Sequence, residues 1–160
     1  MSSPQPRRSQ EVAAALSAAG VEAEIRHLDD STRTAVEAAR ALGCEVGQIA
    51  SSLVFMSGDE PVLVLTSGRH RVQTELVDEL LELAEPLRRA SPEEVRAATG
   101  QAIGGVAPVG HPRPLRTVVD RALFEHARVY AAAGTPHSIV PLTPEQLVQL
   151  TRGVVGDVGP

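Results

Sequence analysis

The sequence contains no lysine and no tryptophan. All 15 of its basic residues are arginine, which excludes Schiff-base chemistry and a lysine general base. Aromatic residues are confined to Phe55, Phe124 and Tyr130, too few for a platform on which several bases stack. A single cysteine, Cys44, cannot close an intramolecular disulfide, as suits a reducing compartment. No run approaches the ~18 apolar residues of a membrane span, and MSSPQPRRSQ lacks the apolar stretch of a signal peptide. These absences predict a cytoplasmic protein with no membrane association. Neither HxxxH nor a Cys/His cluster occurs, so no metal and no cofactor is expected. The net charge of −5 argues against coating nucleic acid through bulk electrostatics, and DNA is not an expected partner.

What is present is the composition of one globular domain: 160 residues, 42% hydrophobic and 22% charged. Residues 1–8 read as a flexible polar tail and 9–157 as the domain, and the closing GVVGDVGP is expected to fray. Three helix starts carry a Ser or Thr followed three residues later by Glu or Gln: Thr34 with Glu37, Ser91 with Glu94, and Thr143 with Gln146. In such a capping box each side chain satisfies an orphan N–H of the other residue. Pro92 and Pro144 sit at the first helical position, where a missing N–H costs nothing. Gly20, Gly43 and Gly100 read as left-handed helix ends. Residues 49–55 and 62–66 flank SGDEP as an antiparallel hairpin, and further strands are expected near 117–119, 129–132 and 138–142. The elements mix without regular βαβ alternation, which predicts an α+β fold.

GGVAPVGHP, residues 104–112, is the most unusual stretch. Glycine admits backbone angles other residues resist and lets a ligand approach, while proline stiffens the chain. From the residues alone the loop is either a stiff turn or a cradle.

The run TAVEAARALG (34–43), GQIASSLVF (47–55), VLVLTSG (62–68), SPEEVRAATG (91–100), GGVAPVGHP (104–112) and SIVPLTPEQLVQLT (138–151) resembles, in order and spacing, the YbaK/EbsC family of aminoacyl-tRNA deacylases. That family includes free-standing relatives of the editing domain inserted in bacterial prolyl-tRNA synthetases. The resemblance implies a mixed, barrel-like sheet wrapped by helices and a pocket for the 3′ aminoacyl-adenosine of a misacylated tRNA. It implies hydrolysis of the ester in trans, with the acceptor end of tRNA as partner and a monomer or homodimer as the working form.

Carried onto this chain, the resemblance implies that backbone N–H groups of Gly105, Val106 and Ala107 point at the substrate carbonyl and hold its oxyanion, with Gly104 and Pro108 completing the binding loop. On that reading Gly105 is glycine because a Cβ would hold the ester away. Relatives often have Ser where Ala107 stands. Ser51 occupies the place at which relatives read KSLVF, with a lysine that holds the substrate or its terminal phosphate; here the strand reads SSLVF. His137, before the last strand, either lines the specificity wall or is a surface residue at a turn. Arg69 and Arg113 are the candidates for gripping phosphate, against the commoner fate of solvated surface charge. Asp120 is expected to brace the loop by accepting backbone N–H bonds. Cys44 reads as a small hydrophobe rather than a reactive thiol. Since the family lysine is absent, the alternative to a deacylase is a binder of an aminoacyl or nucleotide ligand, or of a protein partner.

Overall fold

The computed structural model describes residues 7–29 and 34–160. Among these are five α-helices: α1 (Arg7–Ala18), α2 (Ala35–Leu42), α3 (Thr74–Leu81), α4 (Pro92–Thr99) and α5 (Pro144–Thr151). Their starts follow the local chemistry of the sequence. Ser91 and Glu94 exchange both capping bonds, the Ser91 Oγ accepting the Glu94 N–H at 3.1 Å and the Glu94 carboxylate accepting the Ser91 N–H at 2.9 Å. Thr143 and Gln146 do the same at 3.1 and 2.9 Å. At Thr34 only the hydroxyl half forms, accepting from the Glu37 N–H at 3.1 Å. Gly43 and Gly100 close α2 and α4 at φ +68° and +73°, where a side chain would be strained.

The strands are β1 (Arg26–His27), β2 (Ile49–Ser57), β3 (Glu60–Ser67), β4 (Leu87–Arg89), β5 (Arg116–Asp120), β6 (Val129–Ala132), β7 (Ser138–Leu142) and β8 (Val154–Gly156). They form one mixed sheet in the order β1-β7-β6-β2-β3-β5-β8, with β4 added to β2 off that path. The β2–β3 hairpin is antiparallel and registers Ser51 against Thr66 and Ser52 against Leu65. β6 joins β2, and β5 joins β3, in parallel. The α+β class and the helix-wrapped mixed sheet expected from the sequence are the architecture observed.

Both faces of the hairpin are buried. Side chains alternate across a strand, so Ala50, Val54, Leu63 and Leu65 face the main core with Val12 and Leu16 of α1, Val95 of α4 and Leu147 of α5. Phe55, Val62 and Val64 face the other way, onto Val77 and Leu81 of α3. Ile49 packs in a third cluster, with Ala38 and Ala39 of α2 and Ile139 of β7.

Two boundaries differ from the expectation. Arg7 and Arg8 belong to α1 rather than to a tail, while residues 1–6 lie outside the described residues. The closing GVVGDVGP does not fray: β8 pairs with β5 in parallel, and Val158 is fully buried. The Val158 and Pro160 carbonyls accept N–H bonds from Gln73 at 2.7 Å and Arg71 at 2.9 Å. Sheet pairing and these bonds to the loop after β3 satisfy backbone groups that composition alone left to solvent.

Candidate active site

β2 is longer than the strands that flank its outer edge. β6 pairs with it at Ile49 and Ala50, and β4 takes up pairing at Phe55–Ser57, so no strand covers Ser51–Val54 on that side. The Ala90 N–H reaches the Val54 carbonyl at 3.4 Å at one end of the gap. Alternation along an antiparallel ladder sends the N–H and C=O of Ser52 to the same edge as those of Val54. The backbone of Ser52 therefore faces an opening in the sheet.

A cleft of about 380 Å³ occupies this opening. One wall is α2, through Thr34, Ala35 and Ala38; the opposite wall is Ile103, Gly104 and Val106 of the glycine-rich loop. Ser51 and Ser52 form its floor, and Arg89 and Ala90 stand at the β4 end. Arg89 is the only charged side chain among the described residues lining it. Its guanidinium is exposed and has no carboxylate or hydrogen-bond partner among the described residues, whereas the adjacent Arg88 is held by Glu94 at 2.7 and 2.8 Å. That bidentate bond, with the Ser91 N–H, lowers the Glu94 carboxyl to about 2.

The loop is held from behind. Gln101, fully buried, accepts the Ala107 N–H at 2.7 Å and donates to the Val109 carbonyl at 3.2 Å. The His111 ring lies 2.7 Å from the Ala107 carbonyl, so its Nε2 carries a proton and donates. Burial pushes the His111 pKa below its ordinary value of 6.5. Gly105 donates to the Ala102 carbonyl at 3.0 Å and accepts from the Gly134 N–H at 2.9 Å. Gly104 adopts φ +90°, open to glycine at little cost. With these bonds made, the N–H groups of Gly104 and Val106 are left without a protein acceptor among the described residues, and both residues line the cleft.

The residues singled out from the sequence are distributed accordingly. Ser51, Gly104 and Val106 come together at the cleft. The N–H groups of Gly105 and Ala107 do not face it, because Ala102 and Gln101 take them; Ala107 and Pro108 are buried behind the loop. A Cβ on Gly105 would not meet an ester either, but would lie 2.6 Å from the Thr135 carbonyl carbon. Glycine is needed there for the approach of two backbone segments. His137 is exposed in the turn before β7, with its N–H on Thr135 Oγ1 at 3.2 Å, and does not line the cleft. Arg69 is exposed and paired with Glu125 at 3.1 Å, and Arg113 is exposed; neither lines the cleft.

Asp120 braces a different loop from the one expected. It is 1% exposed, and its Oδ2 accepts from the Ser67 N–H at 2.9 Å and faces His70 Nδ1 at 3.0 Å, while Oδ1 takes the Ala122 N–H at 3.0 Å. It thereby ties the end of β3 to the turn after β5. Cys44 packs beside α2, and burial pushes its thiol pKa up, away from the reactive thiolate. No group of three or more His, Cys, Asp or Glu placed to hold a metal occurs among the described residues. No helix among them is long and apolar enough to cross a membrane.

Three site residues had no signature in the sequence. Arg89 belongs to a three-residue strand with no periodicity, Ser52 was overshadowed by its neighbour, and Gln101 reads as an ordinary polar residue after a helix end. Only the doublet SS inside an apolar strand hinted at the cleft floor.

Comparison with known proteins shows the family. Residues 29–150 match the aminoacyl-tRNA editing domain. The proline--tRNA ligase of Bacillus licheniformis is 38% identical over 120 residues, covering 72% of this chain but 20% of the ligase, so this chain spans about a fifth of that enzyme. The uncharacterized protein YwhH of Bacillus subtilis is 29% identical over 131 residues, covering 81% of this chain and 82% of YwhH. A crystal structure provisionally assigned as a trans-editing enzyme for prolyl tRNA synthetase superposes with a TM-score of 0.91 at 42% identity, covering 98% of this chain and 99% of that one. With most of its length matched and a cleft built around the loop that carried the sequence resemblance, the chain belongs to the aminoacyl-tRNA editing domain family.

Proposed function

We propose that the cleft hydrolyses the ester joining an amino acid to the 3′-terminal ribose of misacylated tRNA, acting in trans. The observation that carries this reading is the pair of N–H groups, of Gly104 and Val106, that have no protein acceptor among the described residues, in a loop where the N–H groups of Gly105 and Ala107 are already bonded. Water adds to the ester carbonyl carbon, and the carbonyl electron pair moves to oxygen, where the two N–H groups receive it. The bond to the ribose oxygen then breaks, and that oxygen leaves with a proton. Free amino acid and uncharged tRNA result. Donors fixed before reaction stabilise the developing charge without reorganisation cost, and losing one such donor costs about 10²–10³ in rate. Arg89 is the one charged side chain among the described lining residues, and a guanidinium offers no general base. Proton transfer therefore falls to the substrate's own amine or neighbouring ribose hydroxyl.

Arg89 at the mouth fits a phosphate of the acceptor end, taking the part that the resemblance gives to a lysine at position 51. The test is a panel of mischarged tRNAs assayed for release of amino acid by the wild type, Arg89→Ala, and Arg89→Ala with Ser51→Lys. Arg89→Ala should raise KM about tenfold or more, as loss of a charge-assisted bond implies, and the added lysine should recover most of it. Binding without turnover by the wild type would replace the hydrolase with the binder reading.

A further inference from the structure

Ser52 Oγ is the one buried side-chain nitrogen or oxygen among the described residues with no hydrogen-bond partner. Other buried polar side chains are satisfied: Ser9 by Ser138, Ser67 by the Gly47 carbonyl, Thr99 by the Val95 carbonyl, and Gln101 and Asp120 as described. The exception lies on the floor of the cleft. On its face of β2 the neighbours are Ala50 and Val54, and Ala90, Val95 and Val106 line the same cleft. Most of the residues lining the cleft with it are apolar. A polar group in such surroundings is costly unless a partner arrives, which makes an orphan a pointer to what binds.

We infer that Ser52 selects an amino acid whose short side chain carries a hydroxyl, of serine or threonine size. This rests on the deacylase reading, which puts the ester carbonyl at Gly104 and Val106 and phosphate at Arg89, leaving the apolar recess about Ser52 to the side chain of the amino acid. The Ser52 hydroxyl is buried. No hydrogen bond holds it in its rotamer, and rotation about Cα–Cβ to another staggered well brings it toward the cleft. A recess built to bond a hydroxyl discriminates against the analogue that lacks it, because the protein group then stays unpaired.

The experiment uses one tRNA esterified with serine, threonine or alanine, and in parallel the non-hydrolysable 3′-amides of seryl- and alanyl-adenosine for binding. Wild type should hydrolyse the seryl ester about ten- to hundredfold faster than the alanyl ester and bind the seryl amide correspondingly tighter, the range that one buried hydrogen bond supplies. Ser52→Ala should lower seryl hydrolysis and binding while sparing the alanyl substrate. Its thermal midpoint should be unchanged or higher, since a buried orphan hydroxyl is removed, so folding does not confound the comparison. Equal treatment of seryl and alanyl substrates by the wild type, or an unchanged preference in Ser52→Ala, would overturn the inference and leave the deacylase standing. Ser52-dependent binding of the seryl amide with no ester hydrolysed would sustain the inference and sink the deacylase. Failure to cut any ester and to bind either amide would sink both.

Discussion

Gly105→Ala separates two explanations of the same glycine. Built on the native backbone, the new methyl lies 2.6 Å from the Thr135 carbonyl carbon, 2.7 Å from Thr135 Cα and 2.9 Å from the Pro136 nitrogen. All three are backbone atoms and none can rotate aside, so the two segments must part by several tenths of an ångström. Gly105 is not among the residues of positive φ, so alanine is admissible at that backbone conformation and the cost is steric. Overpacking of this kind costs about 1–3 kcal/mol, and weakening the Gly134–Gly105 bond adds about 0.5–1.5 kcal/mol. Alanine returns about 0.4–1 kcal/mol by restricting the unfolded chain. The net loss is about 0.5–4 kcal/mol, and at roughly 2–4 °C for each kcal/mol in a chain of this size the midpoint should drop by about 1 to 16 °C. Differential scanning calorimetry, paired with a deacylation assay below the transition, reads both quantities. A variant with the wild-type midpoint and no hydrolysis would refute this reasoning, because it would put the methyl in the place of the ester rather than against Thr135.

Two further expectations concern the support behind the loop. Gln101→Leu keeps the volume but leaves the Ala107 N–H buried without an acceptor, at about 1–3 kcal/mol; urea denaturation should show the loss, and the freed loop should lower kcat more than it raises KM. A Gln101→Leu protein of unchanged stability would show that the Ala107 N–H finds solvent. His111 supplies the pH dependence. Burial depresses its pKa in the folded state, so the unfolded chain binds the proton first as pH falls below 6.5. The stability it contributes is therefore present above the unfolded value and lost as pH falls toward the folded one. Midpoints from pH 7.5 to pH 5 should fall more steeply for the wild type than for His111→Gln, which cannot titrate; parallel curves would remove His111 from the account.

Local order was legible because its causes are local. A cap needs a hydroxyl and a carboxylate or amide three residues apart, and Ser91–Glu94 and Thr143–Gln146 carry that spacing in plain view. A left-handed helix end needs glycine, and the hairpin needs two apolar runs about a turn, so α2, α4, α5, β2 and β3 could be placed from the sequence. The glycine-rich loop and Ser51, both singled out in the sequence, meet at the cleft. Tertiary structure decided the rest, because a sheet edge is a relation among segments far apart in the chain. Nothing in Leu87–Arg89 shows that it will pair with Phe55–Ser57, yet that pairing ends the gap and sets Arg89 at its mouth. Nor can a sequence show which N–H of a loop is already bonded: Gln101 and Ala102 claim those of Ala107 and Gly105, and those of Gly104 and Val106 are left without an acceptor among the described residues. His137 and Arg69 lie close in sequence to elements of the cleft but face solvent, since a turn or a competing carboxylate directs them elsewhere. The sequence by itself determined the elements and the loop that matters. Only the fold, by closing some hydrogen bonds and leaving others open, decided which backbone groups of that loop stay without a protein partner at the cleft.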